Sequence, residues 1–307
     1  MNGRPFTWFV FLLAAFALCL PAGFAQKSAP TIGSSPRLHL PARKKKAPGG
    51  MAFARSISDS SLSLADREKR IFKAFKSGNI PGFLRKPVPV RSEMLIDEQS
   101  QYFIFYALPD YLAIGSDTDY VYMPMTPILA QRIAKRWHLM LPTRKMVDLI
   151  YENAAIKLAP LPIPPTKAMT SLAVFIRHNA MVQEELRAAA QENYKTGSLQ
   201  ERHRAGVLTA GNKKDIVISP KIYTESQAKV VIYGWHQLNG KAIQPLYNKH
   251  SNLWADYSHG IRLIGRYGLF NGKKVKIAQL LADPEYHVLL SDEGIISRPF
   301  YPILPYR

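Results

Sequence analysis

Within seven positions, the stretch 256–262 holds an acid, a hydroxyl, an imidazole and a guanidinium: Asp256, Ser258, His259 and Arg262, with Gly260 among them. Upstream lie Asp215, His236 and His250, so three of the eight histidines fall between 236 and 259. Three chemical readings compete. In the first, His236, His250 and His259 with Asp256 supply ligands to zinc, which suits imidazole and carboxylate, although the spacing matches no standard ligand motif. In the second, His259 or His236 is a general base, Asp256 or Asp215 orients it, and Arg262 holds a carboxylate. Ser258 as a nucleophile would need a sharp exposed turn, and no G-x-S-x-G elbow is present. In the third, the histidines are satisfied structural groups, and Tyr233, Trp235, Trp254 and Tyr257 form either an aromatic core or a platform on which a sugar stacks.

These residues need elements to position them. The last third reads as β-rich, with strands over 215–219, 228–235 and 258–265 and a tight turn at Asn271-Gly272, followed by two short helices. Ahead of it, a long amphipathic helix starts near Ser171, with Leu172, Val174, Phe175, Met181 and Val182 on one side and His178 near that apolar face. A Pro-rich connector over 157–170 is the best internal boundary. Upstream, Ser63 and Asp66 form a capping-box-like helix start, and Ser77-Gly78-Asn79 ends that helix before Pro81. Residues 82–92 read as extended and polyproline-like through Pro87 and Pro89. Residues 101–125 read as a β-hairpin turning at Ser116–Asp119. Thr126 and Thr143 cap two further helices. The expected class is α+β: N-terminal helices and a short β-hairpin, a long central helix, and a mostly antiparallel C-terminal sheet. The expected parts are 61–160 and 170–307, which could share one core.

Residues 1–25 read as a secretory signal peptide. Arg4 precedes an apolar run, FVFLLAAFALCL, then Pro21 and a small-residue cut site before Gln26. The run is shorter than the roughly 20 residues that span a bilayer, so the mature chain is expected to have no transmembrane segment. Residues 26–60 read as a disordered basic tether containing Lys44-Lys45-Lys46. The only cysteine, Cys19, lies in the leader, which removes disulfides and thiolate chemistry from the mature chain. With 41 Lys+Arg against 22 Asp+Glu, the chain attracts polyanions. In an exported, periplasmic or extracellular protein the expected partner is a cell-wall polymer or anionic polysaccharide. No nucleic-acid-binding motif is present.

Other signals are weaker. Asp117 and Asp119 could form a cation-binding turn or a plain Asx turn. The helix start at Thr143-Arg144-Lys145 could face an anion.

Several segments together, GNIPGFLR, PDYLAIGSDTDY, LPTRKMVDLIY, RHNAM, IYGWH and ADYSHGIRLI, resemble a family of uncharacterised secreted bacterial proteins over most of residues 65–294. That resemblance implies export and brings no chemistry. Locally, SHGIRL is similar to the Ser-His-Gly-Cys-Ile-Arg stretch of YkuD-type L,D-transpeptidases, which crosslink peptidoglycan, and His236 could play the part of their upstream histidine. Here Gly260 is followed directly by Ile261, so the nucleophilic cysteine is missing and the resemblance implies a non-catalytic relative at most. Two functions follow as expectations. One is an envelope-associated hydrolase or transferase acting on peptidoglycan or another polysaccharide, through His236, Asp256, Ser258, His259 and Arg262. The other is a non-enzymatic binding module for anionic cell-wall glycan.

Overall fold

The fold begins earlier than the composition suggests. A computed structural model describes residues 40–188 and 199–306, and α1 (Gly50–Ser56) lies inside the expected tether. Phe53, Ala54 and Ile57 are buried, and Gly50 donates its N–H to the Asp119 carbonyl at 2.9 Å. A Cβ at Gly50 would come within 2.5 Å of the Tyr120 backbone, so only glycine lets the helix start there. The expected tether therefore does not include residues 50–56. The expected signal peptide lies outside the described residues.

Next come α2 (Leu64–Lys76) and a single 3-10 turn, Phe83–Arg85. Ser63 caps α2 as expected, its Oγ accepting from the Asp66 N–H at 3.1 Å. β1 (Val88–Ile96) and β2 (Gln99–Ala107) form a long hairpin. Its turn at Asp97-Glu98 takes positive φ at both residues. The expected polyproline path over 82–92 is thus a 3-10 turn followed by a strand from Val88, in which Pro89 is tolerated because β1 pairs only with β2.

β3 (Ala113–Gly115) and β4 (Tyr120–Tyr122) make the short hairpin around Ser116–Asp119. Capped by Thr126 and Thr143, α3 (Pro127–Arg136) and α4 (Arg144–Asn153) flank β5 (Leu139–Met140). β6 (Ile156–Lys157) precedes the Pro-rich connector, and α5 (Leu172–Ala188) follows it. His178 is fully buried on the inner face of α5 with Phe175 and Val182.

After α6 (Leu199–Arg204) come β7 (Thr209–Ala210), β8 (Lys214–Ile216), β9 (Ile232–His236) and β10 (Ala242–Tyr247). The expected strand over 258–265 is broken in two. β11 (His259–Gly260) pairs in parallel with β8, whereas β12 (Ile264–Gly265) joins a different sheet. Between them the Ile261 and Leu263 carbonyls accept from the Leu112 and Leu108 N–H groups, both at 2.9 Å. The 108–112 loop thus holds the crossover. β13 (Tyr267–Phe270) and β14 (Lys273–Lys276) turn at Asn271-Gly272, both at positive φ, and α7 (Ile277–Ala282) follows. The second expected short helix is only a 3-10 turn at Tyr286–Leu289.

The class is α+β. A six-stranded sheet runs β14-β13-β2-β12-β5 with β1 on β2, and a four-stranded sheet runs β10-β9-β8-β11. Most pairing is antiparallel; β11 with β8 and β6 with β7 are parallel. β12 lies between β2 and β5, so the early and late parts of the chain share one core.

Candidate functional site

β8 is the spine of the site. On one face it presents Lys213 and Asp215, and on the other Lys214. His259 pairs with Lys214 and Gly260 with Asp215. Two positive φ values in β9, at Gly234 (101°) and Trp235 (56°), break its alternation.

Asp256, Ser258 and His259 do come together. Tyr257 and Ser258 form a turn rather than a strand, which removes the alternation that would have separated Asp256 from His259. Asp256 Oδ1 accepts from the Ser258 N–H at 2.8 Å and from its hydroxyl at 2.5 Å. Asp256 Oδ2 accepts from the Trp254 indole at 3.1 Å and lies 3.7 Å from His259 Nε2. Burial pushes the Asp256 carboxyl up, but His259 and the Ser258 and Trp254 donors outweigh it and hold the group at about 2. Burial drives His259 the other way, down to about 4, despite Asp256 beside it. Near neutrality Asp256 is a carboxylate and His259 a neutral imidazole. The Ser258 hydroxyl is held by a carboxylate too weakly basic to take its proton. This is a rigid polar turn, not an activated nucleophile.

Arg262 goes elsewhere. It is fully buried, donating to the Leu108 carbonyl at 2.9 Å and the Thr209 carbonyl at 2.6 Å. Its guanidinium lies 4.2 Å over the Tyr111 ring and 3.9 Å from Asp110 Oδ1. Around it runs a network that sequence reading missed. Tyr111 donates to Asp215 at 2.7 Å, and Asp110 accepts from Tyr122 and pairs with His203 at 2.7 Å. Lys213 Nζ donates to the Tyr257 carbonyl at 2.6 Å and meets His178 Nδ1 at 3.0 Å. Burial raises Asp215 to about 6 and lowers Lys213 to about 7. The Asp-Tyr pair at 110–111 was the one available signal, an acid and a phenol within an otherwise apolar run.

His236 faces a third environment. Its Nε2 lies 2.8 Å from Asp148 Oδ1, an oxygen that also accepts from Tyr233 at 2.9 Å. Tyr151 stacks on the imidazole at 4.5 Å. This pair borders a cavity of about 330 Å³ with Glu152, Lys157 and Asn239. His250 stacks on Trp254 at 5.1 Å. The five candidates thus divide. Asp256, Ser258 and His259 share one turn, Arg262 braces the core, and His236 pairs with Asp148 on α4. For the same reason the expected zinc set does not assemble: among the described residues no three His, Cys, Asp or Glu side chains are grouped to hold a metal ion.

A wider opening is lined by a different set of residues, a cleft of about 800 Å³. Its lining carries Lys135 from α3, Arg266 and Tyr267 at the start of β13, Lys276 at the end of β14, and Phe300 from the tail, and it contains no Asp or Glu. Tyr267 is 44% exposed and Phe300 48%. The tail that forms one wall is pinned. Tyr301 donates its hydroxyl to the Val217 carbonyl at 2.7 Å and its N–H to Gln131 at 2.9 Å. Tyr306 donates to the buried Glu68 at 2.5 Å.

No family model, no curated protein and no solved structure matches this chain.

Proposed function

We propose that this protein is an exported, envelope-associated binding module for anionic cell-wall glycan. The observation that carries the reading is the cleft, in which three cations and two exposed aromatic rings meet with no carboxylate opposing them. Amphipathic rings such as Tyr267 suit the apolar face of a sugar, and the cations suit its acidic groups. The net charge of +19 adds a long-range attraction for a polyanion. No helix among the described residues is long and apolar enough to cross a membrane. The test is co-sedimentation with purified anionic wall polymer at low and high salt. Binding that high salt reverses supports the reading, because exposed charges more than about 10 Å apart are screened at 0.1 M. Affinity unchanged by salt would overturn it.

A hydrolase or transferase acting on peptidoglycan is the second reading, and one observation favours it. The His236–Asp148 pair, an imidazole oriented by a carboxylate, borders a cavity. Its test is release of muropeptides by the parent protein and not by His236→Ala. Absence of product from the parent removes this reading.

A further inference from the structure

One face of the four-stranded sheet collects side chains whose polar atoms have no partner. His259 is fully buried, and neither ring nitrogen makes a hydrogen bond; the indole N–H of the buried Trp235 likewise has no partner. Lys214 Nζ makes no hydrogen bond to the described residues and lies 5.1 Å over the Trp235 ring. These groups are neighbours by construction. Lys214 and His259 are lateral partners across β8 and β11, so their side chains leave the same face roughly 5 Å apart. Gly234 is the partner of Lys214 on β9, so a regular strand would send Trp235 to the opposite face. The left-handed φ at both Gly234 and Trp235 undoes that and sets the ring under the Lys214 ammonium. A left-handed φ at a bulky aromatic residue is costly, and such outliers cluster at functional sites. Buried donors are ordinarily paired, so a group of unpaired ones under one unpaired cation calls for an occupant.

From this arrangement we infer that Lys214, Trp235 and His259 form a binding site for a single carboxylate group. Lys214 and Trp235 are donor-only, which excludes a cation. His259, held neutral by burial, supplies one further N–H. Lys214 is the cation over the Trp235 ring, and Asp256, 3.7 Å from His259, is a resident carboxylate that also acts on the Lys214 ammonium. Both favour a monoanion over a phosphate dianion. Lys213 does not contribute a donor, since its amine is already engaged by His178 and the Tyr257 carbonyl. The site is separate from the basic cleft and does not depend on the cleft's role. The carboxylate could belong to an acidic sugar or to a peptide terminus.

The test is a titration of the whole protein with acetate at constant ionic strength, following the indole N–H resonance of Trp235, assigned with Trp235→Phe. A saturable shift is expected in the parent. In Lys214→Met, which keeps the apolar stem over the ring, affinity should fall roughly tenfold to a hundredfold, the loss of one charge-assisted hydrogen bond. Lys276→Glu in the cleft should leave it unchanged. Separate arms with a hexuronate and with N-acetylalanine identify the source: saturable binding of either supports the site, and the tighter names the ligand class. No shift, a linear drift shared by Lys214→Met, or binding of acetate without either larger probe would overturn the proposal, the last marking an adventitious small anion only.

Discussion

The ring of Tyr111 lies where a side chain at Gly260 would be: a Cβ built on Gly260 would stand 2.5 Å from Tyr111 Cδ1 and 2.7 Å from Lys213 Cβ. The glycine in SHGIRL is therefore a packing requirement. It lets β11 close on β8 while Tyr111 reaches Asp215 and lies under Arg262. Gly260→Ala should destabilise by about 1–3 kcal/mol, the usual penalty for forcing atoms into a filled core. Urea denaturation of the two proteins checks this, with an unchanged midpoint as the contrary result.

Arg262 should behave as a brace rather than a substrate-binding group. Arg262→Ala leaves the Leu108 and Thr209 carbonyls without their donor and removes the buried cation beside Asp110 and Asp215. Breaking one side of a buried charged network costs about 3–5 kcal/mol. The expected outcome is a chain that melts far below the parent or fails to fold, measured by circular dichroism. Arg262→Lys should recover little, because one ammonium cannot reproduce a planar fork that serves two carbonyls. A folded, fully stable Arg262→Ala protein would return Arg262 to the list of ligand-binding candidates.

These two residues also mark how far the sequence could be read. The caps at Ser63, Thr126 and Thr143 and the Asn271-Gly272 turn were legible because each depends on bonds within four residues. The break of 258–265 into β11 and β12 was not, because it depends on the 108–112 loop some 150 positions away. Arg262 was singled out as a holder of a substrate carboxylate, and its bracing role could not be read because the groups it donates to are backbone carbonyls distant in sequence. The helix at 50–56 was missed because it is only seven residues long and follows directly on the basic, Pro- and Gly-containing run 43–49. The cleft draws on three segments, around 135, 266–276 and 297–303, none of which forms a motif alone.

Stability should rise with pH above neutrality through Lys213. Burial holds its amine at about 7 in the folded protein, against 10.5 for the ordinary side chain. Above 10.5 neither state holds the proton. As pH falls from 10.5 towards 7 the unfolded chain takes up a proton that the folded chain refuses, so stability is lost over that window and is level below it. Read upwards, the gain is at most about 1.4 kcal/mol per pH unit for one group. Buried tyrosines such as Tyr111 and Tyr122, pushed up by desolvation, oppose this only above about 10, where the unfolded phenols ionise. Denaturant midpoints from pH 7 to 9.5 should climb in the parent and flatten in Lys213→Met. Parallel profiles in the two proteins would mean that the folded amine keeps its proton.

The cleft makes the opposite kind of prediction, with function changed and stability untouched. Lys135 and Lys276 are exposed and make no ion pair among the described residues, so reversing them strains nothing. Surface substitutions of this kind usually stay within about 0.5 kcal/mol of the parent. Arg266 is a poorer choice, because its Nε also donates to the Leu139 carbonyl at 3.2 Å and ties β12 to β5. The double variant Lys135→Glu/Lys276→Glu should melt with the parent and bind anionic wall polymer at least about tenfold more weakly at low salt, with a shallower salt dependence, since fewer screened contacts remain. Tyr267→Ala should instead weaken binding at every salt concentration, because stacking of a ring on a sugar face is not screened. If the double variant sediments with the polymer as the parent does, the attraction comes from the rest of the basic surface, and the cleft is not the glycan site.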